Sequence, residues 1–256
     1  MDDHGYPLAA GKPDHHHGRT SGIGWEAALE LARAGAELTI PARTEAKADA
    51  AVKRVRAVLP HANLQTAVMD VSSLQSVRAF AAQQLSDTRP IDTLINNAGV
   101  MALPDRRLSA DGFEMQFATN VLGHFLLTGL LLPSILRAPA PRVVTVACYA
   151  HEAGGPVPIP DLNLENNYKP IKAYSKTKLA NVLFARELAR RAGERLLSTT
   201  CHPGYSRTNL NSDTTLLMKV AGVRLFPISQ TAAKGAEPTL FAATAPDAKP
   251  AGYYGP

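Results

Sequence analysis

Cysteine is scarce in this chain of 256 residues: there are two, Cys148 and Cys201, each at the end of what reads as a buried strand. That excludes a disulfide framework and fits a reducing compartment, so a cytoplasmic protein is expected. Charge of one sign is not concentrated either. The net charge is +5, but Lys and Arg are interspersed with Glu and Asp instead of massed in a run, which argues against a nucleic-acid partner. The longest apolar stretch, Val121 to Leu136, is broken by Gly123, His124, Gly129 and Pro133. It falls short of the roughly 20 residues a membrane span needs and reads as a buried helix. Met1-Asp2-Asp3-His4-Gly5 lacks a basic stretch followed by an apolar one, so no signal peptide is expected. An apolar share of 45% with 19% charged residues excludes a disordered chain. The length suits one domain, since a single core grows to about 250–300 residues before chains split.

Within those bounds, apolar runs of strand length alternate with helical patterns, which predicts βαβ units and a parallel sheet covered on both faces. Strands are expected near 36–40, 64–69, 91–95, 142–147, 196–201 and 251–254, and helices near 22–34, 44–58, 73–86, 110–136, 172–192 and 229–243. Gly35 is the expected stop of the first helix and Ser72 or Ser73 the cap of the third. A buried strand ahead of the first helix is missing from this pattern. The chain offers Gly11-Lys12-Pro13-Asp14-His15-His16-His17 there, with a proline, charges and no aliphatic residue. Residues 1–17 therefore read as an irregular segment ahead of a dinucleotide-binding domain at 18–256. A poor but real strand is the alternative. The three histidines make a weak metal site, because neighbours on an extended chain point to alternate sides, and no metal is expected.

Gly18-Arg19-Thr20-Ser21-Gly22-Ile23-Gly24 opens an amphipathic helix. Glycines there let the backbone approach a pyrophosphate, and the helix N-terminus supplies unpaired amides and a positive dipole end. An NAD-binding sheet places an acidic residue about twenty positions on, for the ribose hydroxyls, but here the next strand ends in Pro41-Ala42-Arg43. The Arg43 guanidinium can pair with a 2′-phosphate, which points to NADP (NADPH). Asp70-Val71 closes the following strand, where the carboxylate either accepts from an adenine amino group or caps the next helix. Small residues in Asn96-Asn97-Ala98-Gly99 leave room for a ribose, and the asparagine amides can tie neighbouring strands together.

Tyr174 and Lys178 share a helical face at i and i+4. A phenol has a pKa near ~10, and a nearby ammonium, joined by the positive nicotinamide ring of an oxidised cofactor, is expected to pull it down and make Tyr174 an acid/base near neutral pH. Taken in order, these residues carry a resemblance. The Gly18/Gly22/Gly24 loop, Asp70, Asn96-Asn97-Ala98-Gly99, Thr119-Asn120-Val121, Tyr174/Lys178, and Pro203-Gly204 with Thr208 resemble the short-chain dehydrogenase/reductase family. The likeness is greatest to its retinol-dehydrogenase-like and WW-domain-oxidoreductase-like branch and covers about residues 18–255.

The resemblance implies an α/β Rossmann-type doubly wound parallel sheet of about seven strands, with its first strand degenerate here, and a catalytic set of asparagine, serine, tyrosine and lysine. Asn120 would hold a water beyond Lys178, Lys178 would bond the ribose hydroxyls, and Thr208 would contact the nicotinamide amide. The catalytic set is then Asn120, Cys148, Tyr174 and Lys178. The cofactor-binding set is Gly18, Arg19, Ser21, Gly22, Ile23, Gly24, Arg43, Asp70, Val71, Asn97, Ala98, Gly99, Tyr174, Lys178, Pro203, Gly204 and Thr208.

Three departures stand out. Cys148, in Val146-Ala147-Cys148, replaces the family's serine, and a thiol is the weaker donor; losing such a hydrogen bond costs on the order of 10²–10³ in rate. The histidine segment replaces the first strand, and the chain stops at Gly252-Tyr253-Tyr254-Gly255-Pro256 where relatives usually continue. The expected function is an NADP-dependent oxidoreductase interconverting an alcohol and a carbonyl on an apolar small molecule. Leu216, Leu217, Met218, Val220, Val223, Leu225 and Phe226 are expected to cover its pocket. The alternative is a nucleotide-binding protein without turnover. Oligomeric state stays open between monomer and homodimer.

Overall fold

A computed structural model describes residues 5–9, 22–204 and 230–256. Seven parallel strands form one sheet in the order β3-β2-β1-β4-β5-β6-β7: β1 Gly5–Ala9, β2 Glu37–Ala42, β3 Leu64–Val68, β4 Thr93–Asn96, β5 Arg142–Val146, β6 Leu197–Cys201 and β7 Tyr253–Tyr254. The helices are α1 Ile23–Arg33, α2 Glu45–Val58, α3 Leu74–Leu85, α4 Met115–Ile135, α5 Pro170–Ala192 and α6 Ala232–Thr244. Strand and helix alternate because apolar β-branched runs such as Val143-Val144 are buried on both faces, whereas the helices bury only one stripe.

Two cores result. One lies against α1, α2 and α6, with Ala28, Leu31, Leu38, Val55 and Val144; the other lies against α3 and α4, with Phe80, Leu94, Leu127, Leu131 and Val143. Neighbours in a strand go to opposite sides, Leu94 to the second core and Ile95 to the first. The local signals hold as well. Gly35 takes φ +89° after α1, with Ala36 N–H donating to the Leu31 carbonyl at 3.0 Å, and Ser73 caps α3 by accepting from Ser76 N–H.

The sequence reading leaves residues 1–17 irregular, but part of that segment joins the sheet. Gly5–Ala9 takes the central position, Tyr6 in register with Leu38 and Leu8 with Ile95. It lies upstream of the histidines, and its composition, with Gly5 and Pro7 among five residues, is that of a degenerate strand. His15–His17 lie outside the described residues. The apolar stretch read as too short for a membrane span lies in a longer helix: α4, within the expected 110–136, runs for 21 residues, long and apolar enough by length and composition to cross a membrane. In this fold 61% of its apolar window is buried, and it packs on α3 as a core helix.

Candidate active site

The carboxyl ends of β2 to β6 converge along one edge of the sheet, where a doubly wound fold binds its ligand. A cleft of about 160 Å³ opens there, lined by Arg43, Asp70, Val71, Ala98 and Gly99 among others. Glycine at 99 fits closely: a Cβ would come within 3.2 Å of Asn120 Oδ1, tighter than an ordinary contact, and 3.7 Å of Lys178 Nζ. This glycine therefore joins the cleft to the chemical end of the site. Gly22 is the N-cap of α1, with Ile23 and Gly24 in its first turn. Gly18, Arg19, Ser21 and Thr208, and the stripe from Leu216 to Phe226, lie outside the described residues.

Asp70 is held by its own loop. Its Oδ1 accepts from Ser72 N–H at 2.9 Å and Ser72 Oγ–H at 2.6 Å, while Ser73 caps the helix. Asn96 is fully buried and donates through Nδ2 to Thr128 Oγ1 at 3.0 Å, tying β4 to α4 where a strand-to-strand tie was expected. Gly204 turns at φ +60°, beside Pro203, whose carbonyl accepts from the Gln230 amide.

Asn120 sits in a π-helical turn, Ala118–Leu122, within α4, a local widening that recurs at functional sites. Its side-chain amide is fully engaged. Nδ2 donates to the Val100 carbonyl at 3.0 Å and to Thr177 Oγ1 at 2.9 Å, while Oδ1 accepts from Val100 N–H at 2.9 Å. The Gly99–Val100 loop is thereby fastened to α5. The Asn120 carbonyl faces His124 Nδ1 at 3.1 Å; burial holds the His124 imidazole down to a pKa of about 4, hence neutral.

Tyr174 and Lys178 lie on the buried face of α5, at 3% and 4% exposure. Lys178 Nζ donates to the Val146 carbonyl at 3.0 Å and sits 5.7 Å from the centroid of the Tyr174 ring. Burial pulls the ammonium down to about 8. The tyrosine pKa lies well above the usual phenol value, through burial first and the Cys148 thiol second. The lysine ammonium is turned to the end of β5, and the expected lowering of the phenol also took in the charge of a bound nicotinamide ring. Cys148 follows β5, partly exposed, and its carbonyl accepts from His151 N–H at 3.0 Å and faces His151 Nδ1 at 2.9 Å. Cys201 is buried against Thr239.

Several site residues escaped the sequence reading. Thr177 stood inside the Tyr-Ser-Lys-Thr-Lys motif without a role; its hydroxyl donates to the Tyr174 carbonyl at 2.7 Å and receives Asn120. His124 was legible only as the i+4 partner of Asn120. The contact of His151 with Tyr253 joins residues about a hundred positions apart and leaves no local signal. Among the described residues, no cluster of three metal-ligating side chains occurs.

A family model for the short chain dehydrogenases matches residues 17–217. This chain is a short-chain dehydrogenase. Human retinol dehydrogenase 12 is 40% identical over 235 residues, covering 91% of this chain and 73% of that protein. Human retinol dehydrogenase 13 is 41% identical over 199 residues, covering 77% of this chain and 60% of that protein. A solved structure from Mycobacterium paratuberculosis has 37% identity and a TM-score of 0.75, covering 99% of this chain and 81% of that one. Levodione reductase, at 20% identity, 99% and 95% coverage and a TM-score of 0.75, shares the fold.

The dehydrogenase is therefore an alcohol/carbonyl oxidoreductase of the retinol-dehydrogenase-like branch, with a nicotinamide cofactor and a small-molecule substrate. The cytoplasmic assignment is corrected. It rested on cysteine usage, but its relatives are retinol dehydrogenases, and a Brassica napus relative at 38% identity is named chloroplastic. Few cysteines describe a redox environment, and more than one compartment meets that description.

Proposed function

We propose that the enzyme is an NADP(H)-dependent reductase of apolar carbonyl compounds, and that the pair Tyr174 and Lys178 carries the reaction. The observation behind this reading is the placement of both side chains, buried on one face of α5, against the end of β5 and beside Gly99. The reading takes residues 18–256, with β1, as one dinucleotide-binding domain. The lining of the cleft supports a nucleotide cofactor: Asp70, Ala98 and Gly99 line it, and Arg43 stands exposed beside them where a 2′-phosphate would meet a guanidinium. Two solved short-chain dehydrogenases of this fold, from Shigella flexneri and Escherichia coli, are complexes with NADP and NADPH, which supports the phosphate-bearing cofactor. When bound, that cofactor supplies the hydride.

The chain's own part is the proton. Burial keeps Tyr174 neutral across the physiological range, so its hydroxyl is a donor to an incoming carbonyl oxygen, which favours reduction over alcohol oxidation. Lys178 is cationic below about pH 8, and its ammonium lies 5.7 Å from the centroid of the Tyr174 ring while donating to the Val146 carbonyl. Asn120 and Thr177 hold α4, α5 and the Gly99 loop in one arrangement through three hydrogen bonds. The Cys148 thiol faces the same hydroxyl and offers the substrate oxygen a weak second donor. An apolar substrate accords with relatives named for retinol.

Cys148 also motivates the second reading, a nucleotide-binding protein without turnover. The two separate in one assay of NADPH oxidation with a panel of apolar aldehydes and ketones, run on the parent and on Cys148→Ser. We expect turnover in the parent and a rise of about ten-fold or more in the serine variant; an inert parent that gains activity with serine would establish the second reading.

A further inference from the structure

Three side chains from separate segments meet beside Cys148: His151 from the loop after β5, His202 from the end of β6, and Tyr253 from β7. His151 Nδ1 lies 2.9 Å from the Cys148 carbonyl oxygen, an atom that only accepts, so this nitrogen carries the hydrogen. The same nitrogen lies 3.3 Å from the Tyr253 hydroxyl oxygen. A protonated nitrogen cannot accept, so the phenol oxygen is the acceptor in that contact and its own proton is directed elsewhere.

The ring is held in place. It stacks on His202 with centroids 5.1 Å apart and planes at 20°, and meets His151 edge-on at 5.1 Å. His202 is itself confined, since Gly204 N–H donates to its Nδ1 at 3.2 Å and a Cβ at Gly255 would come within 2.1 Å of its Nε2. Tyr253 is half-buried; burial first and the nearby Cys148 second make its phenol harder to ionise, and Tyr253 in turn adds the smallest of the contributions that raise Tyr174.

We propose that Tyr253 is a catalytic residue: its hydroxyl donates a hydrogen bond to the substrate oxygen, alongside Tyr174, and makes good the weak donation of Cys148. The assignment rests on the carbonyl-reductase reading above. Tyr174 gives its proton to the oxygen as hydride reaches the carbon; Tyr253 keeps its own and stabilises the charge developing before that transfer. His151 and His202 are positioning residues that fix where the phenol points. A phenol is the stronger donor and a thiol the weaker, so at this site Tyr253 supplies the hydrogen bond that the order of the motifs assigns to Cys148.

The test is steady-state kinetics of NADPH-dependent reduction of an apolar aldehyde by the parent, Tyr253→Phe, Cys148→Ser and the double variant. Phenylalanine keeps the ring and its stack on His202, so the substitution removes only the hydroxyl. Tyr253→Phe should lower kcat by about ten-fold or more with the KM for NADPH unchanged, and by only about three-fold or less in the Cys148→Ser background, where the serine hydroxyl takes over. An equal penalty in both backgrounds, or none in the parent, overturns the proposal. So does a parent that binds NADPH, seen as fluorescence quenching, yet reduces no carbonyl. Activity that survives Tyr174→Phe would remove the reading beneath the proposal and the proposal with it. An inactive Tyr174→Phe together with an unaffected Tyr253→Phe removes the proposal alone.

Discussion

Desolvation acts on Tyr174 and Lys178 in opposite directions in pKa and in the same direction in charge: it keeps the phenol protonated and lowers the ammonium to about 8. The pair is thus neutral tyrosine and cationic lysine only below that value. Lys178 is charged at lower pH and loses its proton above about 8, so kcat/KM for reduction should be flat from about pH 6 to 7.5 and fall about ten-fold per unit well above 8. A pH–rate profile checks this; a rate that climbs through pH 9 would contradict the assigned role of Lys178. Tyr174 and Lys178 were read from their i, i+4 spacing together with their place after a strand and loop, and Cys148 from the serine position of the family it resembles. The sign of the tyrosine shift was not legible, because spacing reports the neighbouring charge and says nothing of depth. Tyr253 and His151 were illegible for another reason: their meeting depends on β7 lying beside β6.

At the level of elements, most strands and helices announced themselves through apolar period and cap residues, and the ends moved by only a few positions. β1 did not, because Gly5 and Pro7 remove the β-branched signal that a central strand ordinarily carries. Nor did the π-helical turn in α4, which places Asn120 through one extra residue per turn that no composition betrays. The close approach of α4 to the end of β3 is a feature of this kind. A Cβ on Gly123 would lie 2.0 Å from the Val71 carbonyl oxygen and 2.6 Å from Val71 Cγ2, so this helix rests on backbone. Gly123→Ala should force the two apart and destabilise the fold by about 3 kcal/mol or more, measured as the shift in urea midpoint against the parent. The same change should disturb the Asn120 bridge, one residue turn away. A midpoint shifted by less than the error of the measurement would show that α4 can slide.

Over the whole molecule, one sheet edge collects motifs spread from Gly22 to Gly204, and the order of those motifs carries the family assignment where no single one does. Cofactor preference belongs to this scale, since it depends on β2 delivering Arg43 to a cleft that Gly99 also lines. Arg43→Ala should weaken NADPH binding by about ten-fold or more and leave NADH binding within about two-fold, as read by fluorescence titration of both cofactors. Equal affinities in the parent would remove the preference without touching the chemistry. Compartment, by contrast, was not legible at any scale, because two free thiols are compatible with many places in a cell.

The central claim is that Tyr174, buried with Lys178 at the end of β5, hands its proton to the substrate. The most direct measurement is the rate of NADPH oxidation at saturating apolar aldehyde for the parent and for Tyr174→Phe, with NADPH affinity recorded for both. The account requires the rate to fall by about 10²–10⁴-fold in the variant while the cofactor binds as before; an unchanged rate with intact binding would contradict it.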